Sequence, residues 1–152
     1  MQLFLEQLRN EFTATALMLQ KIIDKCPENL WREKFGEFFF HEECFHCLAY
    51  LDVVTSQWKP FQEARFGNPR HRIVDKIYWT KINMIDYVNT TIKMNESAFT
   101  EKTFNTMKKE CPDFKPAKEI QGALQVLRHA QHHIGKLTAH LESKGVKVQN
   151  WE

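Results

Sequence analysis

The sequence contains no long apolar run. Its uncharged apolar stretches are short, such as residues 16–19 and 38–40, whereas a membrane-spanning helix needs roughly 20 consecutive apolar residues. The N-terminal segment also lacks the pattern of a secretory signal, because Glu6, Arg9 and Glu11 interrupt its apolar positions. We therefore expect a cytoplasmic protein without a membrane segment.

The chain also lacks an excess of one charge. It has 21 Lys and Arg residues against 19 Asp and Glu residues, which gives a formal net charge of +2. The basic residues are scattered along the sequence, whereas nucleic-acid binding depends on clustered Lys and Arg that contact phosphates. The composition therefore argues against a nucleic-acid partner.

Glycine, proline and cysteine are scarce, with five, five and four copies, and 43% of the residues are hydrophobic. This composition predicts one compact domain over residues 1–152. We expect the four cysteines to be reduced, because a chain of this length with this much apolar material does not need disulfides. Cys44 and Cys47 form a CxxC pair, but a position within a predicted helix disfavours a redox role.

Apolar residues at three- and four-residue steps predict a first amphipathic helix that begins near Leu5. It should end near Lys25, because Cys26 precedes Pro27 and a residue before proline disfavours helical geometry. A second helix is predicted from about residue 32 to residue 56. Its apolar residues cover nearly the whole circumference, which is typical of a buried helix.

Two more helices are predicted in the second half of the chain. Thr80 suits the N-cap of the third, although Ile77 and Tyr78 could extend that helix backward. Pro116 suits the first turn of the fourth, which Gly145 should end. A short helical turn is expected at residues 100–108. The irregular residues 57–79 predict a long loop, which can cross the end of a bundle and set the second and third helices parallel.

With four helices and no convincing strand, the sequence predicts an all-α four-helix bundle with a long crossover between helices 2 and 3.

Three of the seven histidines lie within five positions of the fourth predicted helix, at His129, His132 and His133. Residues four apart share a helical face, so His129 and His133 can reach one metal ion. On a helical wheel His133 flanks the apolar seam, His129 lies at its edge and His132 faces outward. The pattern is compatible with a metal site at the rim of the bundle, and also with half-exposed polar residues that bind nothing.

A metal site needs a third protein ligand, and the second predicted helix offers His41 and His46. Periodicity alone does not choose between them. Several polar residues in this helix require partners, because a buried unpaired polar group costs about 1–3 kcal/mol. Glu42 and Glu43 could orient a ligand imidazole or a bound water, although a solvated or capping charge is their ordinary role.

Three segments of the chain resemble the DinB-like (DinB/YfiT) family. Residues 45–52, FHCLAYLD, resemble the family's "HtLfyLD" element, and residues 129–137, HAQHHIGKL, resemble its "HxxHHxGqL" element. Residues 144–151 are similar to its closing "G…W". The resemblance spans nearly all of the chain and implies a four-helix bundle with a long crossover.

The same resemblance implies a divalent metal, zinc or nickel, bound by one histidine of the second helix and two of the fourth. In this sequence those residues are His46, His129 and His133. The chain departs from the family at Lys136, where glutamine is frequent, and we expect Lys136 to point to solvent. It also has an extra His41, which we expect at the core or its rim, hydrogen-bonded to a neighbour such as Glu37 or Asp52.

Members of the family include S-transferases and isomerases that use bacillithiol, mycothiol or glutathione-like thiols. The resemblance therefore implies a metal-dependent enzyme of S-transferase or hydrolase type, in which the ion activates a low-molecular-weight thiol or water for a small-molecule substrate. No catalytic residue is assigned. We expect a homodimer, with His132 at the surface or a subunit contact and His140 in solvent. The alternative is a noncatalytic helical bundle that acts as a dimeric, stress-linked binding protein.

Overall fold

The computed structural model describes residues 1–57, 79–111 and 113–148, and these residues are mostly helical. Their elements, in chain order, are α1 (Gln2–Lys25), α2 (Glu28–Trp31), β1 (Lys34–Phe35), β2 (Phe38–Phe39), α3 (Phe40–Gln57), α4 (Lys81–Ala98), α5 (Glu101–Glu110) and α6 (Pro116–Ser143). Within the described ranges, no helix combines the length and the apolar character that crossing a membrane requires.

The predicted helix ends agree with the structure at most positions. Helix α1 ends at Lys25, where Cys26 turns to an extended conformation before the proline. At the start of α4, Thr80 Oγ1 accepts a hydrogen bond of 3.2 Å from the Asn83 N–H, as expected of an N-cap. After α6, Gly145 has a φ of +80°, and the Val146 N–H donates back to Leu141 O at 3.0 Å.

The predicted second helix is wrong over its first eight positions, because helix α3 begins only at Phe40. A single helical turn and a hairpin of two-residue strands, β1 and β2, precede it, so the expectation of no strand is also wrong. The physical reason lies at Gly36, which has a φ of +63° and so forms the tight turn that pairs Lys34 with Phe39.

The long helices α1, α3, α4 and α6 pack against one another around one apolar core. Contacts between α3 and α4 advance in the same direction, from Asp52 with Tyr87 to Thr55 with Asn95, so these two helices run parallel. Contacts between α3 and α6 advance in opposite directions along the chain, so these two helices are antiparallel. Most of the predicted loop at 57–79 lies outside the described residues, which resume at residue 79.

Aromatic side chains fill much of the core. Trp31, next to the hairpin, is fully buried, and its indole N–H donates to Trp79 O at 2.8 Å. The rings of Phe12 and Phe99 lie 4.8 Å apart between α1 and the end of α4. Aromatic contacts therefore join the segment before β1 to the start of α4, and α1 to the end of α4.

Candidate metal centre

Three imidazoles from two helices converge at the interface of α3 and α6. His129 Nε2 lies 3.3 Å from His46 Nε2 and 3.0 Å from His133 Nε2. The three residues form a group whose ligand atoms all lie within 4.8 Å of one another. The structure therefore brings together the three histidines that the family resemblance singled out.

Helix geometry explains why these side chains meet. His129 and His133 are one turn apart on α6, with ring centroids 4.4 Å apart. The antiparallel neighbour α3 places His46 opposite them, near the contact of the Cys47 thiol with Ala130 O. His133 is buried while His46 and His129 are half-buried, so the cluster lies at the edge of the core.

The spacing of the nitrogen atoms fits a divalent metal ion. Two nitrogens bound to one tetrahedral ion at about 2.0–2.1 Å from it lie roughly 3.3 Å apart. The two short nitrogen separations of 3.0 and 3.3 Å are close to this value. Imidazole is a common ligand of zinc and nickel, so the donor set suits the ions that the resemblance implies.

Glu43 orients His133 within the cluster. His133 Nδ1 lies 2.7 Å from Glu43 Oε1, and the Glu43 side chain is only 1% exposed. Burial alone raises the pKa of this carboxyl, but its hydrogen bonds with His133 and Lys136 outweigh burial and lower the pKa to about 2. An ionised Glu43 accepts a hydrogen bond from the Nδ1–H of His133, so Nε2 of His133 keeps its lone pair toward the other imidazoles.

His46 and His129 are held in the neutral form. Burial, and then the neighbouring His133 and His129, lower the pKa of His46 to about 4. Burial, and then the neighbouring His133 and His132, also lower the pKa of His129. Because neutral imidazole is the form that binds a metal, both groups are ready to act as ligands near neutral pH.

Lys136 does not simply point to solvent as expected. Its side chain is 42% exposed, yet Nζ lies 2.5 Å from Glu43 Oε1. The same ammonium group lies 5.4 Å from the centre of the Phe35 ring, on the hairpin. Sequence reasoning missed this pair. The available signal was spacing, because Glu43 precedes His46 by three residues and Lys136 follows His133 by three, which places each on the face of a ligand.

Two aromatic rings flank the half-buried ligands. The Phe38 ring stacks on the His46 ring at 6.5 Å between centroids. The Tyr50 ring lies 4.9 Å from His46 and 4.4 Å from His129. Since Phe38 belongs to β2 and Tyr50 to α3, the hairpin and the helix each place a half-buried ring beside the cluster.

The structure gives His41 and Glu42 other positions. His41 Nδ1 lies 3.1 Å from Trp31 O, so this buried histidine contacts backbone, in addition to the rings of Trp31 and Phe39. Glu42 Oε2 accepts a hydrogen bond of 2.9 Å from the Phe39 N–H and so caps the start of α3. Of the two glutamates considered, Glu43 is therefore the one that contacts a ligand imidazole.

The two remaining histidines of α6 differ from each other. His132 is exposed, as the helical wheel indicates. The expectation of a solvated His140 is wrong, because its ring lies 4.5 Å from that of Phe35 and 5.9 Å from that of Phe40. The hairpin, which the sequence did not predict, covers this part of α6.

The CxxC thiols lie in the core. Cys44 and Cys47 are both fully buried, and burial raises the pKa of each thiol above its ordinary value. Thiolate is the reactive form of cysteine, so this environment favours inert, reduced thiols.

Comparisons with protein-family models, with curated proteins and with solved structures find no significant match for this chain. The geometry of the site therefore carries the functional argument.

Proposed function

We propose that this protein is a metal-dependent enzyme of the DinB-like type, built as a four-helix bundle with a long crossover between α3 and α4. His46, His129 and His133 would hold a divalent ion, with zinc or nickel best suited to three imidazoles. The observation that supports this proposal is the approach of three Nε2 atoms from two helices, with separations of 3.0 and 3.3 Å along the cluster.

The supporting residues match what a metal site requires of a protein. Glu43 fixes the tautomer of His133 and holds the ring in place, which is the usual role of a carboxylate behind a ligand histidine. Three neutral ligands leave the charge of the ion uncompensated and a coordination place for water or substrate. When bound, such an ion lowers the pKa of water or of a thiol into the neutral range.

The proposed reaction class follows from this chemistry and from the family resemblance. An activated thiol would make the protein an S-transferase, and an activated water would make it a hydrolase. Phe38 and Tyr50 border the ligands, so the substrate would pass two aromatic rings on its way to the ion. This arrangement favours a small molecule with an apolar part beside its reacting group.

The test is thermal unfolding of untagged, metal-free protein with and without added Zn²⁺ or Ni²⁺. An ion that binds only the folded state stabilises it by about 2.7 kcal/mol at one hundred times its Kd, so the midpoint should rise by several degrees. His129→Ala should abolish the rise, whereas the exposed His132→Ala should keep it. A midpoint that neither ion moves would contradict the proposal.

The same variants separate the enzyme from its rival. A noncatalytic, dimeric binding protein would not need the cluster, so replacing His129 and His133 by alanine would leave its cellular phenotype unchanged. The enzyme requires that the double variant lose both metal and phenotype. A double variant that keeps both would favour the binding protein.

A further inference from the structure

Two nitrogen atoms from side chains of α6 contact the same carboxylate oxygen of α3. His133 Nδ1 and Lys136 Nζ both contact Oε1 of Glu43, at 2.7 and 2.5 Å. The carboxylate is almost fully buried, whereas the Lys136 side chain is 42% exposed. The Glu43 carboxylate therefore interacts both with a ligand imidazole and with a lysine whose side chain is partly in solvent.

This division changes the charge of the candidate metal centre. A carboxylate behind a ligand histidine ordinarily increases the electron donation of the imidazole and offsets part of the charge of the ion. Here the ammonium of Lys136 pairs with that carboxylate, so Glu43 and Lys136 together add no net charge. Three neutral imidazoles add none either, and a divalent ion would keep both of its positive charges.

We propose that Lys136 offsets the charge of Glu43 so that the centre holds its ion less tightly but attracts an anionic ligand more strongly. This inference rests on the proposed function and narrows its substrate class to molecules that present an anion, such as a thiolate or a carboxylate, to the ion. Lys136 is a positioning residue in this scheme, because it contacts Glu43 and acts through it.

The site surroundings support the same class of ligand. The rings of Phe38 and Tyr50 flank His46 and offer apolar contact. The nearby Glu42 carboxylate is engaged by the Phe39 N–H at the start of α3. In a ligand with an anionic group and an apolar part, the anionic group would therefore bind the ion and the apolar part would contact the two rings.

The experiment compares Lys136→Gln with Lys136→Arg and with a matched control. Lys144 provides that control, because its side chain is 40% exposed, similar to that of Lys136, and pairs with Glu33 rather than with a residue of the cluster. Each variant is first freed of metal. Its affinity for Co²⁺ is measured by competition with a chromophoric chelator, and azide is then titrated into the Co²⁺-loaded protein.

Lys136→Gln should bind Co²⁺ about tenfold more tightly and azide about tenfold more weakly, as expected for removing one positive charge near a divalent ion. Lys136→Arg and Lys144→Gln should stay close to the wild type in both titrations. Lys136→Met repeats the test if the glutamine variant does not fold. The opposite directions of the two changes separate a charge effect from general damage to the site, which would weaken both.

Unchanged Co²⁺ and azide affinities in Lys136→Gln, or equal changes in Lys144→Gln, would overturn the inference and leave the metal centre standing. A wild-type protein that binds no Co²⁺ would overturn the proposed function and this inference with it.

Discussion

Replacing Glu43 by glutamine should destabilise the metal-free protein in a way that depends on pH. The buried carboxylate has a pKa of about 2, against an ordinary value of 4.5. A group with a lowered pKa in the folded state stabilises the protein above its unfolded pKa, and this contribution is lost as the pH falls toward the folded pKa. Glutamine resembles the protonated form, so the variant lacks the contribution at every pH.

The size of the effect follows from the two pKa values. Their difference corresponds to at most about 3 kcal/mol of unfolding free energy near pH 7, and to about half of that near pH 3. Removing one partner of a buried charge pair ordinarily costs a free energy of this size or more. The cost is lower here, because Lys136 is exposed and its ammonium group can return to water. The difference in unfolding free energy between the wild type and the variant should therefore decrease steadily below pH 5.

Urea unfolding, followed by circular dichroism from pH 7 to pH 3, measures this difference. Glu33→Gln is the matched control, because it breaks the exposed pair with Lys144. Such a pair contributes about 0–1 kcal/mol, so this variant should change stability little across the range. A Glu43→Gln effect that is independent of pH, or no larger than that of the control, would refute the reasoning.

Three further predictions test other parts of the structure. Folding lowers the pKa of His46 from 6.5 to about 4, so between these pH values the unfolded chain binds a proton that the folded protein does not. The free energy of unfolding should therefore decline as the pH falls through this range. His46→Gln should reduce that slope by up to about 1.4 kcal/mol per pH unit in the same urea titrations. Tyr87→Phe removes a 2.7 Å hydrogen bond to the buried Asp52 carboxylate and should cost about 1–3 kcal/mol in urea unfolding. A thiol reagent followed by mass spectrometry should label the partly exposed Cys111 before the buried Cys47, and equal rates in folded protein would contradict the described core.

The sequence predicted the long helices well because their signals are local. The steps of apolar residues mark α1 and α6 along most of their lengths, and Thr80 caps α4 through its own hydroxyl group. The hairpin before α3 was missed for a physical reason. Its phenylalanines also satisfy a helical period, and only the left-handed conformation of Gly36 decides in favour of a turn.

The candidate site was less predictable, because it depends on contacts between helices. Periodicity did not distinguish His41 from His46 as the third ligand. The packing of α3 against α6 places His46 beside His129, whereas His41 contacts Trp31 O. Glu43 and Lys136 lie 93 positions apart, so their spacing from His46 and His133 places each near a ligand, but only the packing of α3 against α6 shows that they pair. The homodimer, the thiol cofactor and the cytoplasmic location remain predictions from the sequence.

Anomalous diffraction from crystals of the untagged protein tests the central claim most directly. Data collected at the absorption edges of zinc and nickel locate an ion and identify it in the same experiment. We predict one ion per chain, bound by Nε2 of His46, His129 and His133 at about 2.0–2.2 Å. Protein grown with these metals that shows no anomalous peak between α3 and α6 would contradict the account.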